Sequence, residues 1–211
     1  MRSIIIADDH SLIRAGLKQI VAERENTQVL EASNGQEVMS KLQKQEVELV
    51  ILDISMPGRN GLEVLKEIKQ FYPKMPVLML SVYPEDQYAI RALKAGAAGY
   101  LTKDSAPDLL LEAIDKVMAG GRFISPAMAE KLITELSDKN RDKLPHEKLS
   151  DREFEVLCKI GEGKQISDIG EELFLSVKTI STYRARILEK MALKNNAELI
   201  YYVINNKLLE K

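Results

Sequence analysis

Polar residues stand where each of several short apolar runs ends. Asp8 and Asp9 follow Ser3 to Ala7, Asp53 follows Glu48 to Leu52, Ser81 follows Val77 to Leu80, and Lys103 lies just beyond Gly99 to Leu101. Three carboxylates drawn together need a counter-charge, because two like charges about 4 Å apart repel by roughly 4 kcal/mol at an effective dielectric near 20. A hard divalent cation such as Mg²⁺, held by carboxylates, water and phosphate oxygens, offsets that repulsion. With the cation in place a phosphoryl group can approach an anionic nucleophile, which makes Asp53 a candidate attacker that ends as an aspartyl phosphate. Lys103 then supplies a point charge to one phosphate oxygen, and the Ser81 hydroxyl a hydrogen bond to another. After Asp53, the residues Pro57, Gly58, Asn60 and Gly61 give a tight turn that sets backbone groups near Ser55 toward the metal.

These residues meet only if the runs are strands of one parallel sheet, where the carboxyl ends share an edge and ligands bind. The pattern from Met1 to about Gly120 predicts this arrangement. Strands are expected at Ser3 to Ala7, Gln28 to Ala32, Glu48 to Leu52, Val77 to Leu80 and Gly99 to Leu101. Between them lie amphipathic stripes: Leu12, Leu17, Ile20 and Val21; Val38 and Leu42; Leu62, Leu65, Ile68 and Phe71. Helices from about Glu85 to Ala95 and Pro107 to Met118 complete five β-α units. The fold expected for residues 1–120 is α/β, a doubly wound five-stranded parallel sheet of flavodoxin-like type.

Residues 121–148 read as a linker with one short helix. Pro126 after Ser125 starts it, Leu132, Ile133 and Leu136 give its apolar side, and Ser137 to Lys148 is polar and exposed, with no strand expected after Gly120. Residues 149–211 read as a small all-α domain. Ser150 and Glu153 form a capping box ahead of Phe154, Val156, Leu157 and Ile160, and three helices follow near Ile166 to Leu173, Val177 to Met191 and Ala197 to Asn205. In the helix opened by Ser176, the arc of Val177, Ile180, Ile187, Leu188 and Met191 is expected to face the core. The opposite side presents Lys178, Ser181, Thr182, Ala185 and Arg186, a slim basic and polar surface suited to a major groove. Arg184 falls within the apolar arc and reads as a snorkelling side chain or an intraprotein partner. The last helix carries Leu199, Ile200, Tyr202 and Val203, a dimer contact or else simply core.

Composition narrows the classes of function. Among 211 residues with a formal net charge of −2, no bulk attraction to nucleic acid or anionic membrane exists, so DNA binding must come from a local patch. No apolar run of about 18 residues is present to span a membrane. The first strand is too short for a signal peptide, and the expected location is the cytoplasm. Cys158 is the only cysteine, with His10 and His146 as the only histidines, which excludes an internal disulfide and leaves no set for a Cys/His zinc site.

On the residues alone, other readings stay open. A phosphohydrolase of the haloacid dehalogenase type also uses an aspartate nucleophile and Mg²⁺, but needs a second carboxylate two residues on, where this chain has Ser55. A flavin-binding flavodoxin-like domain shares the expected sheet. The C-terminal helices fit a protein-binding bundle as well as a DNA reader.

The stretches Ile6-Ala7-Asp8-Asp9-His10, Asp53-Ile54-Ser55-Met56-Pro57-Gly58 and Gly99-Tyr100-Leu101-Thr102-Lys103 resemble the receiver domains of two-component response regulators. Leu149 to Glu153, Ile166 to Gly170 and Ser176 to Ile180 resemble the LuxR-type helix-turn-helix, and the combination is similar to the NarL/FixJ family of transcription regulators. The resemblance implies Asp53 as phosphoacceptor and Asp8, Asp9, Asp53 and the Ser55 carbonyl as Mg²⁺ ligands, Asp9 the more direct of the acidic pair. It also implies Ser81 and Tyr100 as a coupled switch. It further implies Lys178, Ser181 and Thr182 as DNA contacts, with Thr179 and Arg186 toward phosphates. A sensor histidine kinase, DNA, RNA polymerase and a second copy of the chain on DNA are the implied partners. The family usually places proline after the lysine, whereas this chain has Asp104.

Overall fold

The computed structural model describes residues 2–83, 85–137 and 144–209. By internal contacts the chain forms two compact units, Met1–Thr134 and Glu135–Lys211, so the stretch read as a linker is shared between them.

In the first unit, strands β1 (Arg2–Ala7), β2 (Thr27–Ala32), β3 (Leu49–Asp53), β4 (Val77–Ser81) and β5 (Gly99–Thr102) form one parallel sheet in the order β2-β1-β3-β4-β5. Each crossover is a helix: α1 (Ser11–Val21), α2 (Gly35–Lys44), α3 (Gly61–Phe71) and α4 (Glu85–Lys94), with α5 (Ala106–Met118) after β5. β3 and β4 are buried at every position, as strands covered by helices on both faces must be. Ile4, Ile6, Leu49, Ile51, Leu78 and Leu80 pack with Leu17, Val21, Leu110 and Ile114 of α1 and α5 to fill one side of the sheet.

The helical stripes differ from expectation at their ends. Leu12 is 83% exposed, because its spacing of five from Leu17 sets it off the arc, and Ile13 packs against the core instead. Phe71, the last residue of α3, is also exposed. The next helix, α6 (Pro126–Ser137), is anchored by Met128 at its start, whereas Ile133 is exposed and the Leu136 side chain lies outside the described residues. The expected exposed linker falls partly outside them too, and its end, Pro145–Lys148, is a 3₁₀ turn. Beyond Gly120 the backbone also makes a parallel bridge, Gly99 to Phe123, where no pairing was expected, because a single residue leaves no period-2 pattern to read.

The second unit contains α7 (Asp151–Gly161), α8 (Ile166–Glu172), α9 (Val177–Met191) and α10 (Asn196–Asn205). Ser150 caps α7 in a full capping box with Glu153. Phe154, Leu157, Ile169, Leu173, Ile180, Ile187, Met191, Leu199 and Val203 are buried. Val177 is not part of that core. It is 53% exposed, since the first residue of α9 precedes the turn at which the helix meets its neighbours. In α10, Leu199 and Val203 are fully buried and therefore core, while the exposed apolar side chains are Tyr201 and Ile204.

Candidate phosphate site and nucleic-acid surface

The strand order places β1 beside β3, which sets Asp8 and Asp53 at one end of neighbouring strands. Asp8 and Asp53 are almost completely buried. Lys103 Nζ lies 2.7 Å from Asp8 Oδ2 and 2.9 Å from Asp53 Oδ2, so one ammonium serves two carboxylates. The second Asp53 oxygen, Oδ1, is buried without a hydrogen-bond partner, as is the Ser55 hydroxyl. Burial is the main influence on Asp53 and, reinforced by the Asp8 charge and opposed by Lys103, pushes its pKa up to about 7. Burial works against the Lys103 charge, but Asp53 and Asp8 outweigh it and raise its pKa above the usual lysine value.

The turn after β3 is built to approach this site closely. Asn60 caps α3 by accepting from Leu62 N at 2.7 Å, and Gly61 N donates to Ile54 O at 2.8 Å. A Cβ on Gly61 would stand 2.0 Å from the Asp53 carbonyl oxygen, so residue 61 must be glycine for the turn to close over Asp53. On the other side, Lys103 N donates to Ser81 O at 2.7 Å, which joins the ends of β4 and β5. Tyr83 N donates to Ser81 Oγ at 3.0 Å, and Tyr100 Oη donates to Tyr83 O at 2.9 Å, with the Tyr100 ring buried. Burial pushes the Tyr100 phenol above the ordinary tyrosine range. No peptide bond among the described residues is cis, that between Lys103 and Asp104 included.

Two supporting residues escaped sequence reasoning. His10 donates its N–H to Asp8 Oδ1 at 2.9 Å and places Nδ1 2.7 Å from Asp9 Oδ1. Arg14 Nη1 donates to the Asp8 carbonyl oxygen at 2.6 Å and so fixes the loop that carries both acids. His10 is adjacent to the acidic pair and could have been suspected; Arg14 lies one helical turn beyond His10 and carries no local signal.

Asp8, Asp9 and His10 each bring one possible ligand atom within 4.8 Å of one another, and Asp53, outside that group, adds its buried, unpartnered Oδ1, so the oxygens on offer are those of carboxylates. That set fits Mg²⁺, which prefers oxygen ligands and keeps several waters.

In α9, Ser176 Oγ caps the helix by accepting from Thr179 N at 3.1 Å. Lys178, Ser181, Thr182, Ala185 and Arg186 are all exposed and Thr179 half-buried. The Thr182 hydroxyl donates to Lys178 O at 2.9 Å. Ser176, Lys178, Thr179, Thr182, Tyr183 and Arg186 line a shallow hollow. Two basic residues are withdrawn from this surface. Arg184 Nε donates to Asn196 Oδ1, and Lys190 Nζ lies 2.6 Å from Glu153 Oε2.

Residues 4–115 match the family described as response regulator receiver domain, and residues 147–203 match the bacterial regulatory proteins of the luxR family. Over 211 residues the chain is 34% identical to the response regulator GacA of Pseudomonas protegens, covering 100% of this chain and 99% of the relative. It is 32% identical over 209 residues to the response regulator UvrY of Escherichia coli, covering 99% and 96%. Among solved structures, RcsB from Salmonella enterica serovar Typhimurium, bound to promoter rprA in the presence of the phosphomimetic BeF₃⁻, superimposes with a TM-score of 0.62 at 26% identity, covering 96% of this chain and 98% of that one.

Proposed function

The chain belongs to the NarL/FixJ-type response regulators, a receiver domain followed by a LuxR-type DNA-binding domain, and from that membership we propose that Asp53 accepts a phosphoryl group from a sensor histidine kinase. The observation that carries the reading is the shared ammonium of Lys103 between Asp8 and Asp53, beside a buried Asp53 oxygen without a partner. An Asp53 oxygen attacks phosphorus as the P–N bond to the donor imidazole breaks, and the electron pair leaves with the imidazole. Lys103 transfers its contact from the carboxylates to a phosphate oxygen, which places its positive charge where negative charge accumulates. Ser81 turns its hydroxyl to a second oxygen. Asp8, Asp9, Asp53 and the Ser55 carbonyl would hold Mg²⁺, which would supply positive charge to offset the negative charge brought together at Asp53. The receiver catalyses its own phosphorylation and dephosphorylation and is not otherwise an enzyme. His10 and Arg14 act as positioning residues for the acidic pair.

Downstream, Lys178, Ser181 and Thr182 read bases, and Thr179 and Arg186 contact phosphates. Phosphorylation shifts the population toward paired DNA-binding domains on two half-sites, and the exposed Tyr201 and Ile204 of α10 supply the contact between copies. RNA polymerase is the onward partner and the cytoplasm the location in this reading. Among the described residues no helix is long and apolar enough to cross a membrane. The reading is tested by incubating the protein with acetyl phosphate and Mg²⁺ and measuring intact mass. Wild type gains one phosphoryl group and Asp53→Ala gains none; retention of the gain in Asp53→Ala overturns the assignment.

A further inference from the structure

Arg14 reaches the loop of the acidic pair through Nη1, which donates to the Asp8 carbonyl. The guanidinium has its counter-charge on the edge strand of the sheet. Glu31 of β2 sits opposite Ile6 in the β1–β2 register, two residues before Asp8, and its Oε2 lies 3.5 Å from Arg14 Nε. Lys18, one turn further along α1 and on the same side of the helix, places Nζ 2.8 Å from Oε1 of the same carboxylate.

The two contacts on Glu31 differ in kind. Lys18 is 53% exposed and makes a close charge-assisted hydrogen bond, which more than the charge of Arg14 holds the Glu31 carboxyl below the ordinary glutamate range. The Arg14 side chain is only 15% exposed, and its Nε is buried without a hydrogen-bond partner. At 3.5 Å it is attracted to Glu31 but not bonded to it. A buried donor left in that condition costs free energy, so the contact gains if the carboxylate moves toward Arg14. Lys18 draws on the same carboxylate from the other end and opposes that movement.

We propose that Glu31 is a positioning residue for phosphoryl transfer at Asp53: its carboxylate steadies the Arg14 guanidinium against the Asp8 carbonyl, and through it the two acids that face the cation, while Lys18 weakens this hold by sharing the carboxylate. This rests on the reading of Asp53 as phosphoacceptor. Plain anchoring of α1 to β2 makes Glu31 and Lys18 equivalent, because removing either end of one ion pair has the same result. Positioning through Arg14 makes them opposite in sign, because loss of Lys18 frees Glu31 for Arg14.

The test is Mg²⁺ binding to the full chain by titration calorimetry, with initial rates of phosphoryl uptake from acetyl phosphate measured across Mg²⁺ concentrations. Glu31→Gln, a near-isosteric change at a side chain 38% exposed, should lower Mg²⁺ affinity about tenfold, the low end of what loss of an outer partner costs a metal site. Uptake at limiting Mg²⁺ should fall in proportion and return to the wild-type rate at saturating Mg²⁺. Lys18→Gln should leave Mg²⁺ affinity unchanged or raise it. A fall in affinity in Lys18→Gln as well, unchanged affinity in Glu31→Gln, or a deficit in Glu31→Gln that persists at saturating Mg²⁺ overturns the proposal. None of these touches the Asp53 reading, which fails instead if wild type binds Mg²⁺ and takes up no phosphoryl group.

Discussion

Asp53→Asn should make the metal-free protein more stable, not less. The buried Asp53 carboxyl has its pKa pushed from 3.8 up to about 7, mainly by burial and net of the attraction to Lys103. A carboxyl whose folded pKa lies above its unfolded value binds the proton more tightly when folded. Its ionisation therefore costs nothing at pH 3 and progressively more as pH rises from about 4 to 7, after which the cost is constant. Roughly 3 units at about 1.4 kcal/mol each give a ceiling of about 4 kcal/mol. Asparagine approximates the protonated carboxyl and escapes that cost, so Asp53→Asn should be more stable by about 2–4 kcal/mol at pH 8, with the difference shrinking toward zero near pH 4. The assay is hydrogen exchange at Ile51 and Leu52 in β3 with chelator present, which reports on the first unit regardless of the second. Addition of Mg²⁺ should close the gap at pH 8 by stabilising wild type alone. Equal stability at pH 8, or a difference that does not vary between pH 5 and 8, would refute the reasoning.

Further expectations follow from the same geometry. Lys103→Gln removes the ammonium that occupies the carboxylates, so Mg²⁺ affinity should rise in titration calorimetry while phosphoryl uptake from acetyl phosphate falls by about 100-fold, the loss of one preorganised charge. Gly61→Ala drives a Cβ into the Asp53 carbonyl and should cost about 2 kcal/mol or more in urea unfolding together with loss of uptake; wild-type behaviour would mean the turn opens freely. Lys178→Ala should relax sequence preference at one position of the site; a uniform weakening on every DNA sequence, with the slope of log affinity against log salt reduced by about 1, would place it on a phosphate instead and refute the base contact. Tyr201→Glu with Ile204→Glu should leave half-site binding intact and abolish cooperative binding to two half-sites in gel-shift titrations, because both side chains are exposed and their loss leaves the core untouched.

The alternation of apolar runs with helical stripes makes the sheet legible in the sequence, because fully buried strands such as β3 and β4 are continuous apolar segments. The strand-end acids and Lys103 were legible for a related reason: a charged side chain directly after such a run has few other places to stand. What was not legible depended on surroundings distant in sequence. Val177 fits the apolar arc of its helix by spacing but is half-exposed, and the choice between core and dimer contact for Leu199 and Val203 rests on what packs against them, which buries both. Periodicity gives a side chain's direction, not what stands opposite. Arg14 was invisible because its partner at the site is a backbone carbonyl, which every residue has, while its side-chain partner, Glu31, lies 17 positions away. The Phe123 bridge was invisible because it is made by one residue's backbone and permitted by the missing side chain of Gly99, 24 positions earlier.

The order in which the site's parts appear along the chain gives it a history during synthesis. Asp8 lies on β1 and Asp53 on β3, neighbouring strands that can pair before β4 or β5 exists. Lys103 follows Asp53 by 50 residues, which at about 5–20 residues per second is a delay of roughly 3–10 s on the ribosome. Through that interval the nascent sheet holds its carboxylates without their ammonium. It should be least stable then, most dependent on ambient Mg²⁺, and released from that dependence as β5 emerges. The lysine that bridges Asp8 and Asp53 in the finished protein is, for the growing chain, the piece that lets the sheet close.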